Sequence, residues 1–129
     1  MSSTVYLRSV KETPVFDVVK EIFDAVDYRA LIPEGSKVVI KVNLSTPFEE
    51  NAAASNTSPE ILDAVCRLVR ERTPNVVVGE SNGMRYDTED AFEVSGYYPI
   101  LEKHGVTPMN FSKDEWVDVG EDLIAGWGL

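Results

Sequence analysis

The sequence contains little cysteine, few basic residues and no long apolar run. Its single cysteine, Cys66, excludes an intrachain disulfide, a cysteine-rich zinc site and an iron–sulfur cluster held by this chain alone. No stretch approaches the roughly 18 consecutive apolar residues that a membrane-spanning helix needs. Residues 1–10 lack a basic region followed by an apolar run, so no signal peptide is predicted. We therefore expect a cytoplasmic protein that does not associate with membranes.

Positive charge is also scarce. The chain has 12 lysine and arginine residues against 22 acidic residues, which gives a formal net charge of −10. A surface of that sign repels phosphate backbones, so we expect no nucleic-acid partner. The 129 residues are 43% hydrophobic and 26% charged, which is typical of a globular protein of one-domain size. The sequence therefore predicts one domain spanning residues 1–129.

Strand-like and helix-like patterns alternate along this domain. Helices are predicted to begin after Thr13, after Thr57 and near Thr88, and a short helical piece ends at His104. Strands are predicted at residues 4–10, 37–42, 76–78 and 106–111, with a fifth strand or extended edge at 116–119.

The β-branched run within residues 37–42 is typical of a strand that is covered on both faces. Strands that alternate with amphipathic helices favour a parallel sheet. We therefore predict an α/β fold, with a three-layer, mostly parallel, Rossmann-like sheet of four to five strands flanked by helices.

Polar residues follow several of these strands, and in an open parallel sheet ligands bind beyond the carboxyl ends of the strands. Two long polar loops, at residues 43–56 and 79–87, reach the same edge. We expect the stem of Lys41 to be partly buried and its ammonium to point to this edge. There it would anchor a phosphate or carboxylate beside the helix that starts at Thr57, or form an ion pair with Glu80. Both interpretations of Lys41 stay open.

The other polar residues have competing interpretations. Glu80 suits a metal ligand, a general base or an ordinary strand-end carboxylate, and Thr57 suits a helix cap. The segment around Ser81 has the glycine spacing of a nucleophile elbow, but the single histidine, His104, is expected in the last turn of a helix. The glycine-rich loops of dinucleotide-binding and Walker sites are missing from the sequence. We therefore predict neither a hydrolase triad nor nucleotide binding by these routes, and we assign no metal ligand.

Four motifs occur in order between about residues 36 and 119. They are VIKVNL at 39–44, NTSPE at 56–60, VVVGES at 76–81, and AFEVSGY at 91–97 followed by HGV at 104–106. Together they resemble the N-terminal part of the family known as domain of unknown function 362. The residues that match its motifs, and are carried over as ligand-binding candidates, are Lys41, Asn43, Thr57, Glu80 and Ser81.

This resemblance implies little about activity, because members of the family are largely uncharacterised. Many of them carry ferredoxin-like cysteine motifs for four-iron clusters, but with Cys66 alone no iron–sulfur cluster is expected in this chain. A typical domain of the family also continues past the point that corresponds to Leu129. The resemblance therefore implies a truncated chain or a short relative, with part of any family site outside it.

Three hypotheses about function remain. The first is a non-catalytic or partial domain that binds a small anionic ligand, or a metal–ligand pair, at the strand-end edge. The second is a partial, redox-linked enzyme completed by a missing half or by another subunit. The third is a homodimerising module, in which an apolar tail containing Trp116, Ile124, Trp127 and Leu129 docks on a second copy. The sequence identifies neither the ligand nor the cofactor nor any reaction.

Overall fold

The fold is taken from a computed structural model, which describes residues 4–118. The helices are α1 (Val15–Ala25), α2 (Tyr28–Leu31), α3 (Glu49–Ser55), α4 (Pro59–Arg70), α5 (Thr88–Val94), α6 (Tyr97–His104) and a 3-10 turn at Phe111–Lys113. The strands are β1 (Val38–Lys41), β2 (Val76–Glu80) and β3 (Thr107–Asn110). Within residues 4–118, none of the helices is long and apolar enough to cross a membrane.

The three strands form one parallel sheet in the order β1-β2-β3. The register places Val39 of β1 beside Val77 of β2, and Val77 beside Thr107 of β3. Residues 4–118 therefore form an α/β fold with an open, three-stranded parallel sheet flanked by helices. This sheet is smaller than the Rossmann-like sheet of four to five strands that the sequence predicts.

The predicted first strand is the main error in the strand count. Residues 4–10 form no strand, and their apolar side chains Val5 and Leu7 are exposed. The segment instead contacts α1, where Arg8 Nε donates to a Glu21 carboxylate oxygen at 2.7 Å. Alternation of side chains favours an extended backbone, but a strand also needs a sheet edge that accepts its hydrogen bonds. Residues 116–118 are not a strand either, and Val119 lies outside the described residues.

One face of the sheet carries the core. Val76 and Val78 of β2 are buried on this face, where they pack in one cluster with side chains of α4, α5 and α6. The cluster includes Leu62, Cys66, Val69, Phe92, Tyr97 and Leu101. Burial raises the pKa of the Cys66 thiol to about 11, which fits a packing residue rather than a reactive one. We call this the helix-covered face.

The opposite face is largely uncovered among the described residues, and we call it the open face. Val39 in the middle of β1 is 62% exposed, Thr107 of β3 is exposed, and Val77 of β2 is only partly buried. Within residues 4–118, the β1 segment is therefore covered on one face and not on both as the sequence predicts. The predicted three layers are likewise not found in residues 4–118, because the helices that build the core share one face.

Strand order explains this asymmetry. Each crossover, from β1 to β2 and from β2 to β3, moves one position in the same direction. Crossovers between parallel strands are almost always right-handed, and two that step the same way place their helices on the same face. The helix spacing in the sequence gives no information about that direction, which is why the three-layer prediction failed.

Candidate functional site

The carboxyl ends of β1 and β2 bring Lys41 and Glu80 together. Lys41 Nζ lies 2.5 Å from Glu80 Oε2, and the second oxygen of Glu80 accepts the backbone N–H of Ser81 at 2.8 Å. The Glu80 side chain is 12% exposed, whereas that of Lys41 is 63% exposed. The ion pair that the sequence left as one alternative is therefore present. The expected burial of the Lys41 stem is not, because the alternation of β1 places Lys41 on the open face.

Asn43 and Thr57 form a second pair at this edge. The Asn43 N–H donates to Thr57 Oγ1 at 3.0 Å, and the Thr57 N–H donates to the Asn43 carbonyl oxygen at 2.8 Å. The Asn43 side chain also donates to the Ser55 carbonyl at 2.6 Å. Ser58, not Thr57, caps α4, since Ser58 Oγ accepts the N–H of Ile61 at 3.3 Å. Asn43 and Thr57 thus join the segment after β1 to the start of α4.

Asn56 holds the loop after β1 in place. Its Oδ1 accepts the backbone N–H groups of Ser45 at 2.8 Å and Thr46 at 3.2 Å. Its Nδ2 donates to the Thr46 carbonyl and to Ser95 Oγ at the end of α5, both at 2.9 Å. An asparagine amide offers two donors and two acceptor lone pairs, so Asn56 uses its full capacity.

Asn82 holds the loop after β2 in place in the same way. Its Oδ1 accepts the Thr88 N–H at 3.0 Å and the Asn110 side chain at 2.6 Å, and its Nδ2 donates to Asp87 at 2.7 Å. Its backbone N–H donates to Ser112 Oγ at 2.9 Å. These bonds join the loop to the start of α5 and to the end of β3.

A cleft of about 580 Å³ opens between these two loops, and we call it the rim cleft. Its walls are residues 44–48 on one side and 80–86 on the other. Tyr86 connects the walls, because its hydroxyl donates to the Leu44 carbonyl at 2.8 Å. Phe48 and Met84 line the cleft with exposed apolar side chains.

The charges of the cleft come from Glu80 and Arg85. Glu80 is already neutralised by Lys41. Arg85 is exposed and makes no ion pair or hydrogen bond with any described residue. Asp87 and Asp90 line a separate hollow of about 400 Å³, which Arg85 also borders. Between residues 4 and 118, no group of three or more His, Cys, Asp or Glu side chains is arranged to hold a metal ion.

The five candidate residues therefore reach one edge of the sheet but fall into two clusters. Glu80 and Ser81 line the rim cleft, and Lys41 joins them through its ion pair. Asn43 bonds to Thr57, which lines a different pocket of about 420 Å³ between α3, α4 and the end of α5.

Sequence reasoning missed the parts played by Asn56, Asn82 and Tyr86. Both asparagines lie in the polar loops that the strand pattern places at this edge. Their partners are as far as 39 residues away in the chain, so spacing alone carries no signal for them.

A catalytic triad is not formed around Ser81. His104 ends α6, which leads into the amino end of β3, whereas Ser81 follows the carboxyl end of β2. The His104 ring is paired instead with Asp63 of α4, at 2.7 Å.

An α/β protein with a cleft at the carboxyl ends of its parallel strands is the class that this geometry defines. Within that class, the family model described as Domain of unknown function (DUF362) matches residues 38–127. The chain belongs to this family. The match begins at the first residue of β1 and includes all three strands and the rim cleft. No curated protein and no solved structure matches the chain.

Proposed function

We propose that the rim cleft binds a small anionic ligand. The observation that carries this proposal is the Arg85 guanidinium, which lines the cleft without an acidic partner among the described residues. Arg8, Arg29 and Arg72 have acidic partners, and Arg29 lies 2.8 Å from Asp24. Arg67 lies over the Phe16 ring and Arg70 donates to the Pro74 carbonyl, whereas Arg85 has no such contact with the described residues. A guanidinium that faces a cleft can form two parallel hydrogen bonds to a carboxylate or phosphate.

Neighbouring groups support an anion of low charge. Lys41, Glu80 and Arg85 together carry one net positive charge, so a singly charged anion is balanced there whereas a polyanion is not. The backbone N–H groups of Gly83 and Met84, beside Arg85, donate to no acceptor in the part of the chain that the structure describes. They are available as further donors to the ligand.

The proposal is tested by titrating the protein with inorganic phosphate, acetate and benzoate, with binding measured from amide chemical shifts. We expect Arg85→Gln to weaken binding about tenfold or more, because a hydrogen bond to a charged group contributes about 1.5–3 kcal/mol. Arg8→Gln is the matched control, since it removes the same charge from an exposed side chain on the N-terminal segment. Equal affinity in the two variants, or no binding of any probe, would contradict the proposal.

A second measurement separates the two interpretations of Lys41. In our proposal Lys41 acts by neutralising Glu80, whose carboxylate would otherwise repel the ligand. Lys41→Ala should therefore weaken binding, and the double variant Lys41→Ala with Glu80→Gln should recover it. If Lys41 contacted the anion directly, the double variant would stay weak.

A further inference from the structure

The rim cleft presents exposed apolar side chains on both of its walls. Phe48, on the wall formed by residues 44–48, is 60% exposed, and Met84, on the wall formed by residues 80–86, is 98% exposed. Single exposed apolar side chains are common on protein surfaces, but these two line the same cleft from opposite walls. An inorganic anion gains nothing from them, because it has no apolar atoms to bury. The walls therefore suit a ligand with an apolar part.

An aromatic ring lies beside the hydrogen-bond donors of the cleft. A Cβ atom on Gly83 would overlap the Tyr86 ring, so this ring packs directly against the Gly83 backbone. The N–H groups of Gly83 and Met84 donate to no acceptor within residues 4–118, and Arg85 follows them in the chain. Four consecutive residues thus present two N–H groups, a guanidinium and an aromatic ring. A ligand that contacts all of them carries its negative charge next to an apolar body.

The volume of the rim cleft is larger than a small anion needs. Its 580 Å³ lies in the range of about 300–1,000 Å³ that is typical of pockets for organic ligands. Such pockets are lined mainly by apolar side chains, with a few polar groups that fix the orientation of the ligand. In the rim cleft, Phe48 and Met84 are apolar lining residues, and Arg85 is the polar group. Acetate or inorganic phosphate would therefore occupy only part of the cleft.

The charge of the cleft favours a carboxylate over a phosphate ester. Lys41, Glu80 and Arg85 together carry one net positive charge, and a carboxylate carries one negative charge. A phosphate monoester carries about −1.5 to −2 at pH 7. Its excess negative charge would lie near Glu80 and near the hollow that Asp87 and Asp90 line beside Arg85. Repulsion from these carboxylates would oppose its binding.

We infer that the rim cleft takes an aromatic monocarboxylate, in which the carboxylate lies close to an aryl ring. This inference rests on the function proposed above and assigns the chemical class of its ligand. Arg85 and the N–H groups of Gly83 and Met84 hold the carboxylate, and the side chains of Phe48 and Met84 contact the ring. Phenylalanine rings and methionine thioethers both make favourable contacts with aromatic rings.

Three probes separate the two parts of this ligand. Benzoate has both the ring and the charge, acetate has the carboxylate without the ring, and benzamide has the ring without the charge. We expect the full chain to bind benzoate more tightly than either of the other two, with dissociation constants measured from amide chemical shifts. Phe48→Ala should weaken benzoate binding about three- to tenfold, the loss expected for one aromatic contact, and should leave acetate binding unchanged.

Two variants control for effects other than loss of the ring contact. Phe48→Tyr keeps an aromatic ring and should retain the affinity for benzoate. Leu31→Ala truncates an apolar side chain that is 69% exposed on α2, away from the residues that line the rim cleft, and should change nothing. Phe48 directly precedes α3, so Met84→Ala on the opposite wall repeats the perturbation if Phe48→Ala lowers the folded fraction.

The outcomes separate this inference from the proposed function on which it rests. Equal affinities for benzoate and acetate, both weakened by Arg85→Gln, overturn the inference and leave the anion site in place. Benzoate binding that neither Phe48→Ala nor Met84→Ala weakens overturns it as well. Equal affinities for benzoate and benzamide, both unaffected by Arg85→Gln, contradict the anion site itself, and the inference fails with it.

Discussion

Replacing Asn56 with alanine tests whether one saturated amide holds the first wall of the rim cleft. Asn56→Ala removes two acceptor and two donor bonds, which join Ser45, Thr46 and Ser95. The change leaves Ser95 Oγ and two backbone N–H groups of a partly buried loop without this partner. We expect the loop of residues 44–48 to loosen and the whole domain to become less stable.

The size of the effect follows from these four bonds. Each intramolecular hydrogen bond contributes about 0.5–1.5 kcal/mol net, so four contribute about 2–6 kcal/mol. Water can replace part of them, because Asn56 and Ser45 are not fully buried. We therefore expect a loss of about 2–4 kcal/mol. At about 4 °C per kcal/mol for a domain of this size, the midpoint of thermal unfolding should fall by about 8–16 °C.

Urea unfolding followed by circular dichroism measures this loss. Asn51→Ala is the control, because the exposed Asn51 side chain on α3 forms no hydrogen bond with the described residues. Its effect should stay within about 0.5 kcal/mol, in either direction. A loss of less than about 1 kcal/mol for Asn56→Ala, or one no larger than that of Asn51→Ala, would show that the loop does not depend on the Asn56 amide.

Two further predictions concern other parts of the fold. Gly79→Ala places a Cβ against the Phe111 ring and 2.6 Å from the Met109 carbonyl oxygen, so urea unfolding should show a loss of about 1–3 kcal/mol. Phe111→Ala in the same chain should recover only part of that loss, and full recovery would exclude a role for the carbonyl contact. A hydrogen bond from Lys103 holds the pKa of Asp63 below its ordinary value of 3.8. The ionised Asp63 carboxylate therefore stabilises the fold fully above pH 3.8, and this stabilisation is lost as the pH falls through the lower pKa of the folded state. The difference in stability between the wild type and Asp63→Asn should therefore shrink from pH 7 to acid pH, and a constant difference would contradict this coupling.

The elements of the fold were predictable where local patterns decide them. The spacing of apolar residues predicts α4, and the β-branched runs predict β1 and β2 within one or two residues of their observed bounds. Strand count and coverage were not predictable in this way. Residues 4–10 alternate like a strand, yet no sheet edge accepts them. The β-branched run at Val38–Lys41 is typical of a strand buried on both faces, yet Val39 lies on the open face.

In the candidate site, too, the sequence predicts where residues lie but not which groups they bond to. The general geometry of parallel sheets is enough to place Lys41 and Glu80 at the carboxyl edge, and both lie there. The sequence cannot show that Asn56 bonds to Ser95, because that contact depends on how α5 packs beside the loop. Polar residues in a loop after a parallel strand indicate the carboxyl edge of the sheet, but their hydrogen-bond partners depend on the tertiary structure.

The two asparagines also bear on how the rim cleft would bind a ligand. Asn56 fixes the wall at residues 44–48 and Asn82 fixes the wall at 80–86, and the two amides share no hydrogen-bond partner. Tyr86 then joins the walls through the Leu44 carbonyl. Because the two walls are already held in place, a ligand that entered the cleft would not have to order them. Less of the free energy of its interaction with Arg85 would then be lost to loop ordering, and its affinity would be higher. If the cleft binds the proposed anion, its affinity should therefore depend on Asn56, which does not line the cleft but holds one of its walls in place.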